Sequence, residues 1–261
     1  MNSNLFKNKR VVLVGPSPHL LGKNLGKFID SFDVVVRVNE IGVTSGLYDD
    51  YGSRTDVAFL SLYSEAIPYY KEMIHNVNYD ELKLIIHPGD EYNLNPYTNE
   101  TTESAKKYFD LLNIDIAYHQ IVIPSISETS QFFGCYPSTG SLTMIELLNQ
   151  ELKELYICGF SFYLTKYRYH PTKIEWWRIP DQNKHKHNLR QGGHDTRKEV
   201  IALRKLMRSN SIVNGDKLFN KVIMSKNMGY YEVRRFINYK LNLDNLKNIL
   251  KIFLRKIGIK I

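Results

Sequence analysis

Six apolar runs pace the first two-thirds of the chain. Lys9–Val14 (KRVVLV), Asp33–Val38 (DVVVRV), Asp56–Leu62, Leu82–His87 (LKLIIH), Asp115–Ile123 and Leu155–Phe160 (LYICGF) each read as a strand. Several are continuously apolar rather than alternating, the pattern of strands covered on both faces of a parallel sheet. Between them lie stretches with helical spacing: Leu20–Asp30, Thr102–Leu112, Ser138–Glu151 and, further on, His194–Ser209. Strands alternating with helices predict an α/β fold, a single Rossmann-like domain whose mostly parallel sheet is flanked by helices. Residues 163–193 break the pattern. YLTKYRYHPTKIEWWRIPDQNKHKHNLRQGG is rich in aromatics, His, Lys and turn formers, and a structureless stretch of that length inside a domain reads as a functional loop or lid.

Charge refines this division. The chain of 261 residues carries a formal net charge of +8, yet residues 217–261 alone hold 11 Lys/Arg against two acidic residues. The remainder is close to neutral, which excludes a nucleic-acid binder built on a basic body. The organisation expected is therefore a domain over 1–215 and a basic helical segment over 216–261. In that segment Leu246, Ile249, Leu250, Phe253 and Ile257 recur at helical spacing, with Lys247, Lys251 and Arg255 on a separate stripe. Such a helix fits an anionic membrane surface; it equally fits a helix packed on the domain with its lysines in water. Cys135 and Cys158 are the two cysteines and sit in no metal-ligating or disulfide pattern. No secretory signal is expected from MNSNLFKNKR, and no stretch reaches the roughly 18–20 apolar residues that span a bilayer. The expected location is cytoplasmic, peripheral at the inner face of the membrane.

Four short stretches carry candidate chemistry, each with a plain structural alternative. Gly15-Pro16-Ser17 ends the first strand: Gly permits a sharp turn, and Ser17 is placed to cap the following helix, whose positive end favours an anion. It matches neither the dinucleotide fingerprint nor a Walker loop, and a simple tight turn reads as well. Asn39 ends the second strand, at the carboxyl edge where parallel sheets bind ligands; alone it is a turn former. Ser138-Thr139-Gly140 starts a helix whose free N–H groups suit an anionic group, or is an ordinary N-cap. His194 starts the helix after the long loop, with Glu199 five positions on to orient the ring or brace its backbone. Histidine is the natural base for activating a hydroxyl near neutral pH, though a helix-start His is commonly a surface residue.

Together, in this order and spacing, these stretches resemble the sialylmotifs of the eukaryotic-type sialyltransferases, glycosyltransferase family 29. Residues 11–55 resemble the large motif, with Gly15, Ser17, Gly22, Gly26, Ile29, Asp30, Arg37, Asn39 and Gly52-Ser53-Arg54-Thr55 at its places. PSTGSLTMIELLNQELKELYICGF resembles the small motif, from Pro137-Ser138-Thr139-Gly140 to Gly159-Phe160, and His194 with Glu199 matches the very small motif. There are departures. Pro16 stands where the family has Asn, and Val11 and Leu152 stand where it has its inter-motif cysteines. The third motif has no clean copy; His187, or else His185, is the candidate. The chain resembles a bacterial or viral member of the family, and no Golgi membrane-anchor stem is expected.

The resemblance implies a GT-A-like sialyltransferase variant that moves sialic acid from CMP-sialic acid to a glycan hydroxyl with inversion. No metal and no cofactor are expected, since helix N-termini can hold the donor's anionic groups. It implies His194 as general base, His187 steadying the departing phosphate, and Glu199 as their partner in catalysis. Gly15, Ser17 and Asn39 would hold phosphate and ribose. Ser138, Thr139 and Gly140 would contact the phosphate or the donor carboxylate, and Gly159 and Phe160 would lie near the cytosine. The expected partners are a CMP-activated sugar and a glycan or lipid-linked glycan, with no nucleic acid. Acceptor choice is expected in residues 63–80, 88–101 and 163–193, where Trp176 and Trp177 suit stacking on a sugar ring. Two alternatives stay open: transfer of Kdo or another CMP-ulosonate to capsule or lipopolysaccharide, and a non-catalytic nucleotide-sugar or glycan binder.

Overall fold

A computed structural model describes residues 4–61, 73–88, 110, 117–121, 126–162, 164 and 194–225. Seven strands form one sheet in the order β5-β4-β3-β2-β1-β6-β7: β1 (Arg10–Val14), β2 (Val34–Val38), β3 (Val57–Phe59), β4 (Leu84–Pro88), β5 (Ala117–Ile121), β6 (Glu154–Cys158) and β7 (Val213–Gly215). Every neighbouring pair is parallel.

The apolar runs become strands because both of their faces are covered. Side chains alternate across a strand. Val11, Leu13, Val34, Val36, Val57, Phe59, Leu155 and Ile157 therefore pack into one core, and Val12, Val14, Val35 and Cys158 into another on the opposite face. The first core is closed by two helices, Thr139–Leu148 through Leu142, Met144 and Leu147, and Thr196–Met207 through Val200, Leu203 and Met207. The second is closed by Leu20, Ile29, Phe32 and Tyr51. Packing continues past residue 215, where Phe219, Val222 and Ile223 are fully buried.

The chain builds outward from β1 to β5, then returns to the other side of β1 to lay down β6 and β7. That reversal falls at the carboxyl ends of β1 and β6, the place where such sheets bind ligands. The edge of β2 beside it is set by a fully buried arginine. Arg37 donates to the carbonyl oxygens of Tyr51 and Arg54, both at 2.8 Å, and to Thr55 Oγ1 at 2.9 Å. Asp30 accepts from the Ser53 N–H at 2.9 Å and from its hydroxyl at 3.0 Å, and Gly52 turns in the left-handed region, where a Cβ would lie 2.5 Å from Asp30 Oδ1. Arg37 and Gly52-Ser53-Arg54-Thr55 thus serve the scaffold.

One expected element is cut short. Leu20–Asp30 does not form one continuous helix: a three-residue 3-10 turn, Pro18–Leu20, is followed by the short helix Gly26–Asp30. Gly22 and Asn24 adopt positive φ, and their N–H groups donate to the Asp50 carboxylate at 2.7 and 2.8 Å. That contact satisfies the backbone without helical bonds. The helix expected over Thr102–Leu112 and most of the loop over 163–193 lie outside the described residues, as does the basic segment from residue 226 onward. Among the described residues no helix is long and apolar enough to cross a membrane.

Candidate active site

At this edge of the sheet two glycine backbones touch. The Gly15 N–H donates to the Cys158 carbonyl and the Ser17 N–H to that of Gly159, both at 2.9 Å, so the turn after β1 is laced to the turn after β6. A Cβ on Gly15 would sit 2.5 Å from the Gly159 oxygen, and Gly159 has φ +75°, which glycine adopts without penalty. The Phe160 ring then joins a third segment. A Cβ on Gly15 would meet it at 2.9 Å and one on Gly140 at 2.8 Å, so the ring lies against both.

Gly140 belongs to the first turn of the helix Thr139–Leu148. Ser138 is its N-cap, its hydroxyl accepting from the Ser141 N–H at 3.4 Å while the Leu142 N–H reaches the Ser138 carbonyl at 2.9 Å. The N–H groups of Thr139 and Gly140 have no hydrogen-bond partner among the described residues, and they are the ones a helix start offers to an anion. Ser138 itself is otherwise occupied: its hydroxyl donates to Glu199 Oε2 at 2.7 Å and its N–H to the same oxygen at 3.2 Å, while the Ser141 hydroxyl donates there as well.

Glu199 therefore clamps two helix starts together. It lies in the first turn of Thr196–Met207 and is 4% exposed. It makes no hydrogen bond to His194 among the described residues, so the reading in which it orients the imidazole gives way to one in which it fixes the helix at Ser138. His194 precedes the helix, which is capped instead by Asp195 accepting from the Arg197 and Lys198 N–H groups at 3.0 and 3.1 Å. The half-buried imidazole places Nδ1 3.0 Å from the Tyr136 carbonyl oxygen. A carbonyl only accepts, so Nδ1 carries hydrogen and Nε2 of the neutral ring keeps the lone pair. Tyr136 and Ser138 flank Pro137, so His194 and the helix start share one support.

The model of glycosyltransferase family 29 (sialyltransferase) matches residues 4–211. The chain belongs to this family. It is a glycosyltransferase. Among the solved structures it resembles is a mammalian sialyltransferase in complex with Gal-beta-1-3GalNAc-ortho-nitrophenol, 20% identical, with 83% of this chain and 72% of that chain covered and a TM-score of 0.47. A second mammalian sialyltransferase is 19% identical, with 80% and 69% covered and a TM-score of 0.49. No curated protein matches the chain.

In this family 29 chain, Gly15, Ser17, Gly159, Phe160 and Gly140 come together at the carboxyl edge, joined by the contacts given above. Asn39 closes β2, one strand from β1. It has φ 56°, and its Oδ1 accepts from the Ser61 N–H at 3.0 Å and hydroxyl at 2.9 Å. The amide nitrogen has no hydrogen-bond partner among the described residues. Ser17 differs from expectation: it stands at the N-cap position of the 3-10 turn Pro18–Leu20, but its side chain makes no capping hydrogen bond, and its hydroxyl lies against His19 instead. His187, His185, Trp176 and Trp177 lie outside the described residues. Asp216 was not singled out in the sequence. It follows β7 and accepts the Gly159 N–H at 2.9 Å, and Gly215-Asp216 before a short helix is the signal that marked it.

Proposed function

We propose that the chain transfers sialic acid from its CMP ester to a glycan hydroxyl, with inversion and with His194 as general base. The observation that carries the role of His194 is the bond from Nδ1 to the Tyr136 carbonyl, which leaves Nε2 as the basic nitrogen. The acceptor oxygen attacks the anomeric carbon and the bond from that carbon to the phosphate oxygen breaks. CMP departs with the bonding pair, and the acceptor proton passes to Nε2. The N–H groups of Thr139 and Gly140 face the anionic part of the donor. The Asn39 amide and Ser17 hydroxyl take phosphate and ribose, and Gly159 with Phe160 lines the nucleotide end. In this reading backbone N–H groups, fixed before substrate arrives, supply the charge stabilisation. Glu199 supports them from behind. His187 is assigned to the departing phosphate on the family resemblance alone.

The donor is tested by incubating the protein with CMP-Neu5Ac and with CMP-Kdo, each with a glycan acceptor, and following CMP release. Release from CMP-Neu5Ac with a sialylated product supports the proposal. Release from CMP-Kdo alone replaces the donor but keeps the site, and binding of either without release makes the chain a binder.

A further inference from the structure

The turn after β1 holds an arrangement that the transfer mechanism leaves unused. The His19 ring bridges two groups far apart in the chain: Nδ1 is 3.0 Å from Ser17 Oγ, and Nε2 is 2.9 Å from Asp216 Oδ2. All three are withdrawn from solvent, with Ser17 2% and Asp216 6% exposed and the His19 side chain 16% exposed.

The partners of Asp216 fix the direction of every hydrogen in this chain. Its Oδ2 accepts the Gly159 N–H at 2.9 Å, and its Oδ1 accepts those of Leu218 and Phe219 at 2.9 and 2.8 Å. Burial alone would push the carboxyl up. The hydrogen bond and charge of His19, with the Phe219 and Gly159 N–H groups, outweigh it and hold Asp216 below the usual carboxylate range. An ionised carboxylate only accepts, so Nε2 carries hydrogen whatever the charge of the ring. The proton that comes and goes is therefore the one on Nδ1, the nitrogen facing Ser17. With the ring neutral, the Ser17 hydroxyl donates to Nδ1 and has only lone pairs left for a ligand. With the ring charged, Nδ1–H donates to Oγ, the hydroxyl hydrogen turns outward, and a positive charge stands behind it.

We propose that Asp216 and His19 form a relay that sets the direction in which Ser17 donates, so that an anion on the Ser17 hydroxyl is bound with uptake of one proton at His19. The ligand class is a phosphate ester. The inference rests on the proposed contact of Ser17 with the donor phosphate, and it makes that contact proton-linked. His19 and Asp216 are positioning residues, acting through Ser17. Tyr156, Cys158 and Tyr51, which surround the relay, stay neutral between pH 5 and 8. Burial pushes Tyr156 up to about 12 and Cys158 well above its ordinary value, and it pushes up Tyr51, whose hydroxyl donates to the Ser17 carbonyl at 2.6 Å. Arg37, beside Cys158, stays a cation.

The test is calorimetric titration of the full chain with the methyl ester of CMP, a phosphodiester whose single charge is fixed, and with cytidine. Buffers of different ionisation enthalpy count the protons taken up between pH 5.5 and 8.5. The ester is expected to bind with uptake approaching one proton, and its Kd to rise with pH by up to about tenfold per unit. Cytidine is expected to show neither effect. His19→Gln keeps hydrogen-bonding groups beside Ser17 and Asp216 but cannot titrate, so it flattens the pH dependence and abolishes uptake. Ester binding without proton uptake in the unmodified protein overturns the relay and leaves the donor site standing, a result independent of whether any variant folds. An unchanged slope in His19→Gln likewise overturns it. Ester binding no tighter than cytidine overturns the donor reading itself, and the relay with it.

Discussion

Replacing Glu199 separates a structural clamp from a catalytic partner. Its Oε2 accepts three hydrogen bonds, from the Ser138 N–H, the Ser138 hydroxyl and the Ser141 hydroxyl. In Glu199→Ala these donors lose their acceptor in a buried place, at about 1–3 kcal/mol for each group left unpaired. The two hydroxyls lie 3.2 Å apart and can turn toward each other, which recovers one bond. Two unpaired groups and the vacated side-chain volume put the cost at about 3–5 kcal/mol, a large share of the total stability of a domain. Glu199→Gln keeps an acceptor oxygen but loses the charge that strengthens all three bonds, for a cost of about 1–2 kcal/mol. Urea unfolding followed by circular dichroism measures both, as a lower midpoint at unchanged slope. The pH–rate profile of transfer supplies the second readout, because a clamp that does not touch His194 leaves the shape of that profile unchanged. Glu199→Ala within about 0.5 kcal/mol of the unmodified protein, or a shifted profile in Glu199→Gln at unchanged stability, would refute the clamp.

Three further outcomes are expected. Gly140→Ala places a methyl 2.8 Å from the Phe160 ring; displacing the ring costs about 1–3 kcal/mol and weakens CMP binding, measured by calorimetry. Asp216 is held below its ordinary range when folded, so its contribution to stability is present above about pH 4 and is lost as pH falls through the lower folded value. The destabilisation of Asp216→Asn, followed by thermal melts across pH, is accordingly full at neutral pH and shrinks in acid; a loss independent of pH would contradict it. If the basic segment meets anionic membranes, deleting residues 241–261 abolishes co-sedimentation with anionic vesicles, and equal pelleting of both forms argues against contact.

The sheet was legible in the sequence because strands buried on both faces must be apolar at every position, and Val11–Val14 and Val34–Val36 are. The boundaries moved inward: Asp56–Leu62 shortens to Val57–Phe59, and Ser138–Glu151 to Thr139–Leu148. What was not legible depends on contacts distant in the chain. Leu20–Asp30 has helical spacing, yet Asp50 captures the N–H groups of Gly22 and Asn24, and only Gly26–Asp30 becomes helix. The three-residue strand Val213–Gly215 carries too short a pattern to recognise. Ser138 was readable as a cap, but its partner Glu199 stands 61 residues away. The pairing of His19 with Asp216 spans 197 residues, and no local spacing announces it.

The proposed transfer depends most directly on His194. In an assay of CMP-Neu5Ac with a glycan acceptor, the unmodified protein is predicted to release CMP in step with sialylated product. His194→Ala is predicted to bind CMP with unchanged affinity while turnover falls by about 10²–10⁴-fold. Near-normal turnover in that variant would remove the imidazole from the chemistry, and an unmodified protein that binds no CMP would remove the donor site with it.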